Sequence, residues 1–298
     1  MSERSFLAGA SEPAIRLRGL RRKFADPAAC SAYISKMAKA GKQPYTLPFA
    51  VRRSDRISES SFDGKQVFEV RPPEVSADSR LRILYLHGGS YFAPPNLLHW
   101  EMLLRLSELT GAVFDLPIYP RAPLHTVSAA YGMISEMYGA REYGMIMGDS
   151  AGGGLALGFA QMLNNAPPLI LMSPWLDAAL ENPRIAKYEQ LDALLGSYGL
   201  RRLAKLWAGS LDVADPRVSP INGDMSSLAE TVVLVGTHEI FCPDAERLAE
   251  RLETEGKRCR IIKGEGMGHV WCSYPTREGR EALTRAALII NEWQRTGL

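Results

Sequence analysis

The sequence predicts an α/β fold built on one mostly parallel sheet with helices on both sides. Three observations lead there. Short, continuous apolar runs recur along the chain, as strands covered on both faces require. Helical patterns alternate with those runs. The connections between them are short, which is how successive βαβ units place parallel strands side by side. With 298 residues, the chain can build one large domain of this type or two small ones.

The elements follow in order. Residues 1–45 read as largely helical and precede the first strand. FAVRRS (49–54) is a weak strand candidate. Strand-like runs then appear at QVFEV (66–70), LRILYL (81–86), AVFDLPIY (112–119), YGMIMG (143–148), PLILMS (168–173), TVVLV (231–235) and CRIIK (259–263). Helical patterns fall at 96–109, 124–140, 151–164, 243–255 and 276–295. The stretch 184–211 breaks the alternation with an extra helical pair. We read the whole chain, 1–298, as a single domain with a helical cap formed by about 1–45 and 184–218. The Leu, Tyr, Trp and Met content of these segments suits a lid over an apolar pocket. It suits ordinary packing against the core equally well.

Composition narrows the function. The chain is 46% hydrophobic and 23% charged, which is ordinary for a soluble globular protein. A net charge of +2 is too small to point to nucleic acid or an anionic membrane. The basic run RLRGLRRK (16–23) reads as a solvated helix face. Cys30, Cys242, Cys259 and Cys272 are widely spaced and show no metal-binding pattern, so no metal and free thiols in a reducing compartment are expected. The start, MSERSFLAGASEP, lacks the apolar segment of a signal peptide. No apolar run approaches the roughly 18 residues of a membrane span. A cytoplasmic protein without stable membrane insertion is expected. The last strand, at a sheet edge, leaves room for a homodimer.

The chemistry is carried by four motifs. MGDSAGGGLA (147–156) lies between a strand and a helix and contains G-x-S-x-G, with Ser150 at its centre. Small neighbours allow the sharp, strained turn that lifts a nucleophile above the sheet, and the helix start favours developing negative charge. LYLHGGSYF (84–92) follows another strand and resembles an HGG-type oxyanion motif. There the N–H groups of Gly88 and Gly89, with that of Ala151, are expected to receive an oxyanion, because glycine lets backbone approach closely. His87 reads as an orienting residue. P-loop and dinucleotide-binding glycine patterns are absent.

His269, in GMGHVWCSYP after the last strand, is the expected base, since the order Ser, acid, His belongs to this arrangement. The acid has several candidates. GTHEIFCPDA (236–245) offers Glu239 and Asp244, and Asp177 follows PLILMS. Pro243 suits a first helical turn, which gives Asp244 a structural explanation as a first-turn carboxylate. Glu239 has no such explanation and is favoured, with Asp244 the alternative and Asp177 behind it.

Taken together, HGGSYF (87–92), YPRAPLHT (119–126), GDSAGG (148–153), GTHEIFCPDA (236–245) and GHV (268–270) resemble the hormone-sensitive lipase-like carboxylesterases of the α/β-hydrolase superfamily. The resemblance implies an eight-stranded sheet, a helical cap partly made by the N-terminus, and hydrolysis of acyl esters without metal or cofactor. Two positions depart from the family pattern. Ser90 stands where a third glycine often sits. Glu239 stands at the first Asp of the more common DPLxD. YPRAPLHT matches a structural loop, to which no catalytic role is given. The expected activity is a serine carboxylesterase acting on short- to medium-chain acyl esters through Ser150, His269 and Glu239. An amide or formamide hydrolase would use the same residues. A non-catalytic small-molecule receptor is the reading of another class, and retention of His269 argues against it.

Overall fold

A computed structural model describes residues 5–17, 19, 21–74 and 81–297. Residues 1–4, 18 and 20 of the expected cap lie outside the described residues. Eight strands form one sheet: β1 (Ile57–Phe62), β2 (Lys65–Val70), β3 (Arg82–Leu86), β4 (Val113–Pro117), β5 (Met145–Asp149), β6 (Leu169–Met172), β7 (Thr231–Gly236) and β8 (Cys259–Gly264). Their spatial order is β1-β2-β4-β3-β5-β6-β7-β8. From β4 onward along that order all neighbours are parallel, while β2 runs antiparallel to both β1 and β4.

The strand expected at 49–54 is a set of turns, and β1 begins later. Its sequence, ISESSF, is exposed along most of its length and carries no apolar stripe. Its pairing with β2 is made by backbone, not by a buried face.

Strand alternation sorts the core onto two faces. Leu84 and Leu86 of β3 join one cluster, with Leu155 and Leu248, while Ile83 and Tyr85 join the other, with Trp100 and Trp293. Helices α4 (Leu97–Thr110), α5 (Val127–Ala140), α6 (Ser150–Ala160), α9 (Cys242–Thr254) and α10 (Arg277–Thr296) cover the two faces. Asn96 caps α4 by accepting from Leu98 N at 2.9 Å, and Gly111 ends it at φ +69°.

The remaining helices are α1 (Phe6–Leu17), α2 (Arg22–Ala25) and α3 (Pro27–Ala40) in the N-terminal segment, and α7 (Ile185–Leu191) and α8 (Ser197–Ala208) in the insertion. The two groups pack together. Phe24 of α2 is buried against α8, where Gly199 leaves no room for a Cβ beside the Phe24 Cα. Arg202 of α8 donates to Ser31 of α3 at 2.8 Å.

Candidate active site

The junction of β5 and α6 puts Ser150 at φ +53°, a left-handed conformation that a serine adopts only under constraint. The two flanking glycines supply the constraint. A Cβ on Gly148 would strike the carbonyl of Gly152, and one on Gly152 would strike the carbonyl of Leu86. The turn therefore closes only with glycine at both places, and α6 then starts directly against the end of β3.

His269 lies beyond β8, and its Nε2 stands 2.8 Å from Ser150 Oγ. Its Nδ1 is 2.6 Å from Glu239 Oε2. Glu239 has no solvent exposure and sits in the turn after β7. Its other oxygen, Oε1, accepts from Ser173 Oγ at 2.7 Å and from Gly236 N at 2.6 Å. Burial opposes a charged His269, but the hydrogen bond and charge of Glu239 outweigh it, so the imidazole pKa is raised.

Two residues of this network were not singled out in the sequence. Ser173, at the end of β6, donates to Glu239 and accepts from Val270 N at 2.9 Å, tying the acid loop to the base loop. A polar residue closing an apolar strand was the available signal. Asp192, buried between α7 and α8, accepts from Ile240 N at 2.9 Å and from the amides of Leu194 and Leu195. Nothing local marks Asp192 as different from any other loop acid.

The other two acid candidates are engaged elsewhere. Asp244 lies in the first turn of α9, and its Oδ1 accepts from Asn182 Nδ2 at 2.9 Å. Its Oδ2 is buried without a hydrogen-bond partner. Burial, chiefly, pushes its pKa up to about 6. The Asp177 carboxylate accepts the backbone amides of Ala179 at 2.9 Å and Glu181 at 2.8 Å.

The expected donor set for the oxyanion needs one correction. The Gly88 N–H donates to Asp149 Oδ1 at 2.8 Å and is not available to a ligand. Gly88 is small for a different reason: a Cβ there would collide with the Asp149 carboxylate and come within 2.9 Å of Ser150 Cβ. Tyr85 also donates to Asp149, at 2.6 Å, and His99 Nε2 lies 3.3 Å from its Oδ2 but outside hydrogen-bond geometry. Burial works against this carboxylate's charge, yet these partners hold its pKa down at about 2. The next two residues, Gly89 (φ +120°) and Ser90 (φ +55°), turn away from the strand and line a cavity with Ser150. Neither N–H has a hydrogen-bond acceptor among the described residues. Ala151, in the first turn of α6, carries an N–H that no intrahelical acceptor precedes. His87 is buried, its Nδ1 is 2.7 Å from the Gly88 carbonyl, and its ring stacks on Tyr119 at 4.4 Å. Burial drives its pKa down to about 3, so it stays neutral and holds the strand end in place.

The cavity above Ser150 measures about 770 Å³. Its walls come from α1 and α2, from α4, from Leu194 and Leu195 before α8, and from the segment after His269.

A model of the alpha/beta hydrolase fold matches residues 83–273, and the chain belongs to that family. An acetyl-hydrolase of Streptomyces hygroscopicus is 31% identical over 230 residues, covering 72% of this chain and 77% of the relative. A triacylglycerol lipase of Mycobacterium tuberculosis is 28% identical over 72% of this chain; the match spans only 47% of the lipase, about half its length. Among solved structures, a candidate esterase of Staphylococcus aureus superimposes with a TM-score of 0.85 at 26% identity, over 93% of this chain and 96% of that one. An esterase of the bacterial hormone-sensitive lipase family, the group the motifs resemble, shares the fold with a TM-score of 0.80 over 98% of this chain and 99% of its own, at 23% identity.

Proposed function

We propose that the chain is a serine carboxylesterase acting on short- to medium-chain acyl esters. The observation that carries this reading is the continuous row Ser150 Oγ, His269, Glu239, with contacts of 2.8 and 2.6 Å. Ser150 attacks the ester carbonyl while His269 Nε2 takes its proton. Glu239 fixes the imidazole with Nδ1–H toward itself and stabilises the imidazolium that forms. The N–H groups of Gly89, Ser90 and Ala151 receive the oxyanion, each donor contributing about 3 kcal/mol in the transition state. His269 then protonates the leaving alcohol, and water, activated by the same imidazole, frees the acyl group.

The relatives' activities, acetyl-hydrolase and esterase among them, favour ester substrates. The N-terminal helices and the α7–α8 insertion act as a cap that bounds the cavity, which favours modest acyl lengths. Ser150→Ala is expected to lower hydrolysis of 4-nitrophenyl butyrate by at least about 10³-fold. A variant working at the wild-type rate would remove the proposal.

A further inference from the structure

Lys23 shares the cavity with Ser150 and His269. Among the described lining residues it is the one side chain with a permanent positive charge. Its place is set by packing. Phe24, next in sequence, is wedged against α8 where Gly199 admits no Cβ, and Gly196 lies so close that a Cβ there would be 3.2 Å from the Phe24 carbonyl. The Lys23 ammonium lies over two rings, 4.9 Å from the centre of Phe24 and 4.8 Å from that of Tyr33.

What Lys23 lacks is an anion. It makes no ion pair or hydrogen bond among the described residues. Its neighbour Arg21, by contrast, pairs with Glu189 at 3.6 Å and donates to the Asp192 carbonyl at 3.1 Å. Burial and the like charge of Lys36 both push the Lys23 pKa down, so the ammonium has an electrostatic deficit that a negative partner would relieve. The carboxylate among the described lining residues, Asp149, is already bonded to Tyr85 and Gly88. Much of the remaining wall is apolar, including Ala93, Leu98, Met102 and Leu195. A cation held in the wall of the same cavity as a nucleophile is a recognition element in the ordinary sense of a mostly apolar pocket with a few placed polar groups.

We propose that Lys23 binds a carboxylate on the substrate. The preferred esters are then anionic: a monoester of a dicarboxylic acid, or an ester whose alcohol carries a carboxylate. Among the described lining residues Lys23 is one cation without a second, which suits a single negative charge better than a phosphate dianion. This rests on the esterase reading above, and assigns Lys23 to specificity and not to the chemical step.

The test is the ratio of kcat/KM for an anionic ester to that for 4-nitrophenyl butyrate. Two anionic probes separate the two ends of the substrate: mono-4-nitrophenyl glutarate and the butyrate ester of 4-hydroxybenzoate. Lys23→Met is expected to lower the ratio for one of them roughly tenfold. Lys23→Arg should keep it, and raising the salt should erode it in the wild type. Butyrate hydrolysis by each variant reports that it is folded. Ratios unchanged within twofold in Lys23→Met for both probes would overturn the assignment while leaving the esterase reading intact. A wild-type protein that hydrolyses none of the three esters would overturn both.

Discussion

Glu239 and Asp244 share one short stretch of chain and nearly complete burial, yet their surroundings are opposite. Three contacts converge on Glu239: Ser173 Oγ, Gly236 N and His269 Nδ1. Asp244 has Asn182 on one oxygen and nothing on the other. Burial alone therefore does not mark an acid with a task. What separates these two is the supply of donors, because a buried carboxylate can hold its charge only where hydrogen bonds replace water. At Asp244 that replacement is incomplete, and the pKa climbs to about 6.

Three substitutions probe the contrast. Glu239→Gln should have the largest effect, a fall in kcat of about 10³-fold, because an amide facing Nδ1 favours the wrong tautomer. The Glu239 carboxylate is also what raises the His269 pKa against the effect of burial. The acidic limb of kcat/KM, set by a base active only when neutral, should accordingly move to lower pH in the residual activity. A larger loss of kcat in Asp244→Asn would reverse the assignment of the acid.

Ser173→Ala should come next, with kcat down roughly tenfold, in line with other residues that orient a catalytic group through a second hydrogen bond. Steady-state kinetics together with a chemical denaturation curve would separate this loss from a simple stability cost of about 1 kcal/mol.

Asp244→Asn should change kcat by less than about twofold and act on stability instead. The sign follows from the raised pKa. Ionising Asp244 costs the folded state more than the unfolded one, so stability declines as pH rises from about 4 to about 6 and stays reduced above that. The Asn variant should be more stable than wild type by about 3 kcal/mol at pH 8, with the difference nearly gone at pH 4. Urea unfolding at the two pH values decides it.

The sequence was informative where one stretch held the whole signal. Buried parallel strands such as TVVLV and PLILMS announce themselves by continuous apolar residues, and GDSAGG carries its own turn chemistry. It misled where the signal was backbone or distant. Strand β1 is polar on both faces, so no periodicity betrays it. FAVRRS has the residues of a strand but folds as turns. Gly88 looked like a donor because it precedes Gly89. Its N–H is instead claimed by Asp149, a partner 61 positions away that no local pattern connects to it. Asp192 reaches Ile240 across 48 positions and was invisible for the same reason.

The contact between Phe24 and Gly199 carries a consequence for how such a molecule changes over time. Ser150, His269 and Glu239 and the part of the wall that bears Lys23 lie in separate lengths of chain, joined by Phe24 against Gly199 and by the pairs Arg202–Ser31 and Arg21–Glu189. A lineage can exchange the doorway and keep the workshop.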